Sequence, residues 1–545
     1  MNVLDESNND QKEISKQAEI EFEQTQSMEE ESDIGLSTLK TKSVQEIMMN
    51  LERPGDITMR ACSTKTIEKE DNDGDGDGVD GVFDNRNTDW FSMNITIFMQ
   101  FVAGLQISVH YMSMWPYMRE MDTTADINFL GWVIASCSIG CTIANPIFGY
   151  WNQRTMSVKW PAITGFLITS IGQLMYAMVH IFNHRKWWLL VARFITGIGV
   201  GNVAVFRVYA ATASVPNDRM KAISLGTAGF GLGFSVGPVI SSIFTPIGHH
   251  GLSLLGIPFT MFTAAALVMV LTCLLCCLLC LFFFKESFVG IVNCDDHDHV
   301  QVIVPKFDKM ASIICIYLFM IATVIATNIE VMSTPLTTVL YDWEDSKSIF
   351  VNGIAIFVSS MLAVILNILI GCTRVGSIDK RTQMLFSIAV FLLYQVFMYP
   401  WWFYSGPLNY QKPTDDISIA GGCPRDYEWC SHTTRVPLPL FYFSFVVLFG
   451  VAFPFVESPA AALFSEVIGP RKQGNMQGLF SFGGSIAPVI ASLSSTNMFV
   501  STGYKYVILS QTGVLILGAI LIMCFYNRLV PLKLEAAREP RPSDA

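Results

Sequence analysis

The chain has 545 residues, of which 51% are hydrophobic and 15% charged. Soluble domains carry about 25% charged residues, so this composition excludes a soluble globule and points to a chain that lies largely in a membrane. The formal net charge of −11 leaves no basic excess for nucleic acid, and none is expected as a partner.

The charge is unevenly placed. Residues 1–88 hold 22 Asp/Glu against 9 Lys/Arg, net −13, which leaves +2 for residues 89–545. Rich in Glu, Asp, Ser and Gly and poor in aromatics, residues 1–88 are expected to form a disordered acidic tail on the cytosolic side. The opening residues lack a basic start followed by an apolar core, so no cleaved signal peptide is expected and the first span acts as the insertion signal. Asp73-x-Asp75-x-Asp77-Gly78 with Asp84 mimics a calcium loop, but it has no flanking amphipathic helices and ends on Asp instead of a bidentate Glu. It reads as a solvated acidic linker, and no metal or other cofactor is expected.

Apolar stretches of membrane length follow near 91–114, 127–150, 160–183, 188–211, 222–244 and 257–284. A polar connection, 285–309, carries Lys285, Glu286, Asp295, Asp296 and Asp298, and six more stretches lie near 310–334, 349–372, 383–403, 437–464, 475–498 and 505–529. The fold class expected is an all-α polytopic membrane protein. Twelve transmembrane helices would form two six-helix bundles, 89–284 and 310–529, joined by a cytosolic linker 285–309 and ending in a cytosolic tail 530–545. An even number of spans puts both termini on one side, and the excess of Lys and Arg in the loops of that side favours the cytosol.

The fourth stretch is the most informative. Between Trp188 and Ala211 lie Arg193 and Arg207, with Gly197, Gly199, Gly201 and Asn202 between them. An arginine near mid-bilayer costs roughly 2.5 to 3.5 kcal/mol on insertion scales, so it survives where it faces a polar cavity or a counter-charge. On one regular helix the two sit about 21 Å apart and within roughly 40° of one face, and the glycines let a neighbouring helix approach to wall a pathway. The other intramembrane ionisable groups are His110 in the outer part of span 1, Glu330 in the outer part of span 7, and Glu457 well inside span 10. Arg193, Glu330 and His110 share a depth and are expected to converge across the bundles as a proton- or anion-responsive site. A fixed Arg193–Glu330 strut is the alternative for that pair, a hydrogen-bonded packing role for His110, and snorkelling to headgroups for Arg207. The partner of Glu457 stays open.

The two sets of six also resemble each other. Gly131, Asn145 and Gly149 of the second span recur as Gly353, Asn367 and Gly371 of the eighth, and Gly237-Pro238-Val239-Ile240 of the fifth recurs as Ala487-Pro488-Val489-Ile490 of the eleventh. Such a parallel repeat implies two bundles around a central path, the architecture of major facilitator transporters. Arg193-x3-Gly197-x-Gly199-x-Gly201 resembles their fourth-span motif, and Gly233-x3-Gly237-Pro238 their fifth-span motif, with Ile240-Ser241 in place of its final glycines.

A more specific resemblance rests on Trp115-Pro116-Tyr117, Thr124-Ala125-Asp126, Phe129-Leu130-Gly131-Trp132, Pro146-Ile147-Phe148-Gly149, Gly201-Asn202-Val203, Glu330 before Thr334-Pro335-Leu336-Thr337, and Gly422-Cys423 to Trp429-Cys430. Over roughly residues 89–529 these residues resemble the lysosomal, facilitator-domain-containing family of neuronal ceroid lipofuscinosis type seven. The resemblance implies an endolysosomal membrane protein that moves a solute or anion, chloride in particular. The chain departs from it in places. Loop 404–436 has no Asn-x-Ser/Thr acceptor, the sequon Asn94-Ile95-Thr96 lies inside the first span, and Gly149-Tyr150-Trp151-Asn152-Gln153-Arg154 lacks the acidic residue of the superfamily's gating loop. Tyr526-Asn527-Arg528-Leu529 is a tyrosine-type sorting candidate placed very near the membrane.

Cys273, Cys276, Cys277 and Cys280 lie in the sixth stretch without a histidine or charge beside them, and read as apolar packing. Cys423 and Cys430 face an oxidising compartment in this topology and are expected to form a disulfide. With no nucleophile–base pairing, nucleotide-binding glycine loop or zinc spacing, the chain is not expected to be an enzyme. Transport of a small solute or anion, with protons as a further ligand, leads. A proton-coupled organic-solute carrier and a transport-inactive scaffold or sensor are the alternatives. The substrate path is expected to involve Arg193, Gly197, Gly201, Asn202, Arg207, Glu330, Glu457 and His110. Deleting residues 1–85 should leave insertion and vesicle flux largely intact, because the tail buries little apolar surface. A truncated protein that inserts but supports no flux would make the tail part of the transport machinery.

Overall fold

A computed structural model describes residues 86–110, 114, 117–118, 127–244, 252–254, 257–260, 262–291, 302–303, 305–410, 422–425, 427–533 and 535–536. They belong to one compact unit, Asn72–Asn293 with Val300–Ala545. The acidic tail before residue 86, with its Asp73–Asp84 run, lies outside the described residues.

Inside hydrocarbon a backbone without neighbouring strands satisfies its polar groups only as a helix, and the long elements are helical. In chain order the spans are 1 (Trp90–Ser108), 2 (Ile127–Thr155), 3 (Lys159–Ala177), 4 (Arg185–Val200 and Val203–Thr212), 5 (Pro216–Ile243), 6 (Thr263–Phe282), 7 (Lys309–Tyr341), 8 (Asp345–Cys372), 9 (Lys380–Met398), 10 (Leu438–Ile468), 11 (Gly474–Thr502) and 12 (Tyr504–Cys524). Among the described residues, 11 of these are long and apolar enough to cross a membrane. Span 3 is a helix of 19 residues whose Thr164, Thr169, Ser170 and Gln173 lower its hydropathy. Aspartates start several spans by accepting free amide N–H groups: Asp89 from Phe91, Asp308 from Met310, and Asp379 from Arg381. The only strands among the described residues are short, β1 (Leu252–Leu254) pairing with β2 (Ile257–Phe259) and β3 (Val302–Ile303) with β4 (Glu535–Ala536), both antiparallel.

Two spans are interrupted. Span 4 breaks at Gly201-Asn202, where Asn202 N–H donates to Gly199 and Ala204 N–H to Gly201 in a tight three-residue pattern. Span 10 contains a π turn, Ser444–Leu448, before Pro454 restarts its last segment.

Spans 1–6 and 7–12 meet along two seams. Spans 2 and 11 approach so closely that a Cβ on Gly149 would strike the backbones of Gly474 and Gly478. Beside them Asn145 Nδ2 donates to Ser485 Oγ at 2.6 Å and Ser481 O at 3.2 Å, and Asn475 N–H to Gln153 Oε1 at 3.4 Å. At the second seam Gly371 of span 8 faces Ser224 and Lys221 of span 5, and Gly231 faces Val364. Gly149 and Gly371, the repeat-related pair, thus take the same part on the two seams. These contacts lie in the half of the molecule that holds both ends of the described chain, here called the terminal face. At the other end of span 2 a Cβ on Gly131 would touch nothing.

Chain segments are strapped across the terminal face. Arg86 donates to the carbonyls of Val289 and Ile291, and Glu286 Oε1 accepts the N–H groups of Val158 and Lys159 at the start of span 3. On the second bundle Arg471 donates to Pro305 O, and Arg528 pairs with Asp308 at 2.6 Å. On the opposite face Cys423 and Cys430 form a disulfide with Cα atoms 6.5 Å apart. Within that loop Trp429 lies against Gly503, which has φ +82°, and edge-on to Phe499 at 5.3 Å. Cys423→Ser should lower stability by about 2 to 3 kcal/mol, the loop-closure value for so short a ring. Thermal unfolding with and without reductant measures it, and two free thiols in protein purified without reductant would overturn the link.

Candidate functional site

The break in span 4 decides where its two arginines go. Each residue wound at three per turn turns about 20° further than one in an α-helix, so the shared stripe expected for a regular helix is lost at Gly199–Asn202. Arg193 turns into the first bundle and Arg207 toward the second.

Arg193 is 1% exposed. Its Nη2 donates to Ile107 O at 3.3 Å, and its Nε and Nη1 have no hydrogen-bond partner. His110 lies within electrostatic reach of it and starts a buried polar chain. His110 Nε2 meets Gln173 Oε1 at 2.7 Å, Gln173 donates to Gln106 at 3.0 Å, and Gln106 to Cys273 Sγ at 2.7 Å. All of these belong to spans 1, 3 and 6, so this network ties the first bundle together. Glu330 sits half-buried in span 7, and Arg193 and Glu330 form no ion pair. The expected convergence of Arg193, His110 and Glu330 therefore reduces to Arg193 and His110.

The charge contact across the bundles is made elsewhere. Arg207 Nη2 lies 3.5 Å from Glu457 Oε1 of span 10, with side chains 19% and 8% exposed. The guanidinium carbon stands 4.7 Å from the ring centre of Phe319 in span 7 and 5.7 Å from that of Phe480 in span 11, and these rings stack on each other at 4.5 Å. An arginine over an aromatic face gains cation–π attraction where water is scarce. Cys141, which contacts Ser485 at 3.4 Å, lies within electrostatic reach of Arg207. Spans 2, 4, 7, 10 and 11 thus converge on one guanidinium, whose Nη1 has no partner. The pair thus joins span 4 of the first bundle to span 10 of the second.

The glycines serve packing inside the first bundle. A Cβ on Gly197 would strike the Cys137 backbone and one on Gly201 the Ala144 side chain, both in span 2. Asn202 Nδ2 donates to Ala162 O of span 3 at 3.4 Å. The four span-6 cysteines are buried with Met99, Ile163 and Phe206, and among the described residues no group of His, Cys, Asp and Glu is arranged to hold a metal. Tyr526 is folded back onto span 9: its ring carries Arg381 at 4.0 Å and its hydroxyl donates to Asp379 at 3.1 Å, while Leu529 is buried. That sorting candidate does not stand clear of the bundle.

Phe319, Phe480 and Ser485 escaped the sequence reading because phenylalanine and serine in apolar spans carry no signature of their own. Asn145 and Gly149 did carry one, as repeat positions.

A model of the Major Facilitator Superfamily matches residues 96–410 and 429–544. The chain is 28% identical over 482 residues to Major facilitator superfamily domain-containing protein 8 of Xenopus laevis, covering 82% of this chain and 93% of that protein. In fold it is similar to a bacterial homologue of the iron transporter ferroportin in an outward-facing state (TM-score 0.59, 8% identity, 80% of this chain and 99% of that one). It is also similar to the human organic anion transporter MFSD10 (TETRAN), with TM-score 0.54, 12% identity, and 79% of this chain covered against 99% of that one. The Major Facilitator Superfamily transporter FucP in its outward conformation gives TM-score 0.54 at 11% identity, over 80% and 98% of the two chains.

Removing one member of a buried ion pair strands the other charge, which costs about 3 to 5 kcal/mol. Arg207→Gln and Glu457→Gln should each lower thermal stability in detergent by roughly that amount, and the double variant should regain most of it. Single variants as stable as the parent protein would show that the two groups do not support each other.

Proposed function

The chain belongs to the major facilitator superfamily, and from that premise we propose that it moves a small anion or anionic solute, chloride among them, across the endolysosomal membrane. It is a multi-pass membrane protein of a solute-transport family; the anion, the compartment and the site are our reading. The path runs between the bundle of residues 89–284 and that of 310–529, with the linker 285–309 and both termini in the cytosol. That orientation puts the Cys423–Cys430 disulfide in the lumen, where disulfides persist.

The observation that carries the reading is Arg207. Its side chain is 19% exposed at the contact between the bundles, with a buried, unpartnered Nη1 and a carboxylate 3.5 Å away. A fixed cation in a low-dielectric passage offsets the dehydration of an anion. Glu457 competes for the same guanidinium, so an arriving anion displaces it. A proton taken up by Glu457 would cancel that competition and favour anion entry, which makes proton uptake and anion binding mutually supportive. Arg193 adds positive potential deeper in the first bundle. A second reading, a proton-coupled carrier of an organic solute, is favoured by Glu330, a carboxylate with no cationic partner among the described residues.

Flux of chloride into vesicles bearing purified protein separates these outcomes. Arg207→Gln should reduce flux by about tenfold or more, equivalent to roughly 1.4 kcal/mol. The Arg207→Gln, Glu457→Gln double variant should stay inactive although its stability recovers. Recovery of flux in the double variant would make the pair a strut only. Unchanged flux in folded Arg207→Gln protein would end the anion reading and leave the organic solute.

A further inference from the structure

Span 9 packs against spans 10 and 12 of its own bundle. Its exposed residues Phe386, Ala389, Leu393 and Val396 follow one another at three or four residues, so they form one helical stripe, the one turned to lipid. At about 1.5 Å per residue the 19 residues of the span run about 28 Å, close to the roughly 30 Å of a hydrocarbon core. Its last turn therefore lies at the edge of the hydrocarbon.

The chain beyond that turn folds back beside it. Pro400 cannot continue the helix, and Tyr399 before it is extended. The last carbonyls of a helix lack partners within it, and two of them are taken here by side chains from beyond the end. Trp401 Nε1 donates to Val396 O at 2.7 Å and the Tyr404 hydroxyl to Phe397 O at 3.4 Å. The backbone between curls on itself, with Trp401 N–H donating to Tyr399 O and Tyr404 N–H to Trp401 O. Trp402 and Phe403 are left facing outward. They are 86% and 61% exposed, and Trp402 is the most exposed large apolar side chain among the described residues. Beside Tyr399 stands Lys505, its Nζ 5.9 Å from the ring centre, followed by the exposed Tyr506 at the start of span 12. Aromatic rings with a lysine at the end of a span are the side chains that settle at headgroup level.

We propose that residues 399–404 form a lipid-binding wedge, inserted through Trp402 and Phe403 into the bilayer leaflet of the opposite face. The wedge goes beyond the transport reading and does not depend on it. The lipid-facing stripe of span 9 leads directly into these rings, and the fold-back holds them at the depth of Val396, so the occupant is the bilayer and not a protein. The wedge also holds the disulfide loop. Thr434 Oγ1 donates to Trp401 O at 2.8 Å, Arg435 N–H donates to Ser405 O at 2.6 Å, and Arg435 pairs at 3.0 Å with Asp342 at the end of span 7. A grip on lipid is thereby passed to loop 404–436 and to span 7.

Tryptophan fluorescence of the full chain in phosphatidylcholine vesicles tests the wedge. Subtracting the signal of Trp402→Phe from that of the parent protein isolates one indole among the 11 tryptophans. Acyl chains brominated near the headgroup should lower this difference signal at least twofold, and iodide in the water on both sides should leave it nearly unchanged. In the Trp402→Phe, Phe403→Trp double variant a bromine-sensitive signal should return from the neighbouring position, which separates the wedge from an indirect effect on Trp401. A difference signal insensitive to bromine would overturn the proposal: quenched by iodide, it would put the ring in water, and quenched by neither, it would mean that a protein surface such as a second copy covers it. A folded double variant that gains no bromine-sensitive signal would overturn it as well.

Discussion

Everything at the centre of this molecule depends on how closely two bundles can approach without side chains between them. Gly149 against Gly474 and Gly478, and Gly371 against span 5, bring helix backbones together. Helices in lipid gain little from hydrophobic burial against each other, so dispersion at such close approach is what joins them. A bulkier residue at any of these positions would separate the bundles before it disturbed either one internally.

The charges are arranged on top of that joint. A guanidinium in hydrocarbon must find a carboxylate, an aromatic face, carbonyls or an incoming anion. Arg207 uses the first two and keeps one N–H in reserve, whereas Arg193 is enclosed by its own bundle. The same residue type on the same span thus does different work. The difference is set by a turn of four residues, Gly199–Asn202, that neither arginine belongs to.

Much of the architecture was legible in the sequence because membrane spans announce themselves by length and apolarity. Even the relation between Gly149 and Gly371 could be read as a repeat before either contact was known. The third span was read correctly although its Thr, Ser and Gln dilute the signal, because its neighbours fixed the count. The pairing of the charges was not legible. Treating span 4 as one regular helix put Arg193 and Arg207 on a common stripe and sent Arg193 toward Glu330. The glycines that were read as close-packing positions also break the helix, and a local change of winding cannot be derived from spacing alone. Glu457 could be placed well inside span 10, but its partner needed the third dimension, as did the two phenylalanines that bed the arginine.

The glycine seam has one more consequence, and it concerns time. Side chains that interlock across an interface must exchange rotamers before the interface can part, and packed interiors resist that exchange. Backbone laid against backbone has nothing to unlock. The second seam differs, because there Gly371 and Gly231 meet the side chains of Ser224 and Val364, while rigid-body motions of whole bundles run on microseconds to milliseconds. The two seams therefore differ in kind, one resting on backbone contact with the side-chain bonds of Asn145 and Gln153 beside it, the other on side chains that must shift before the helices part.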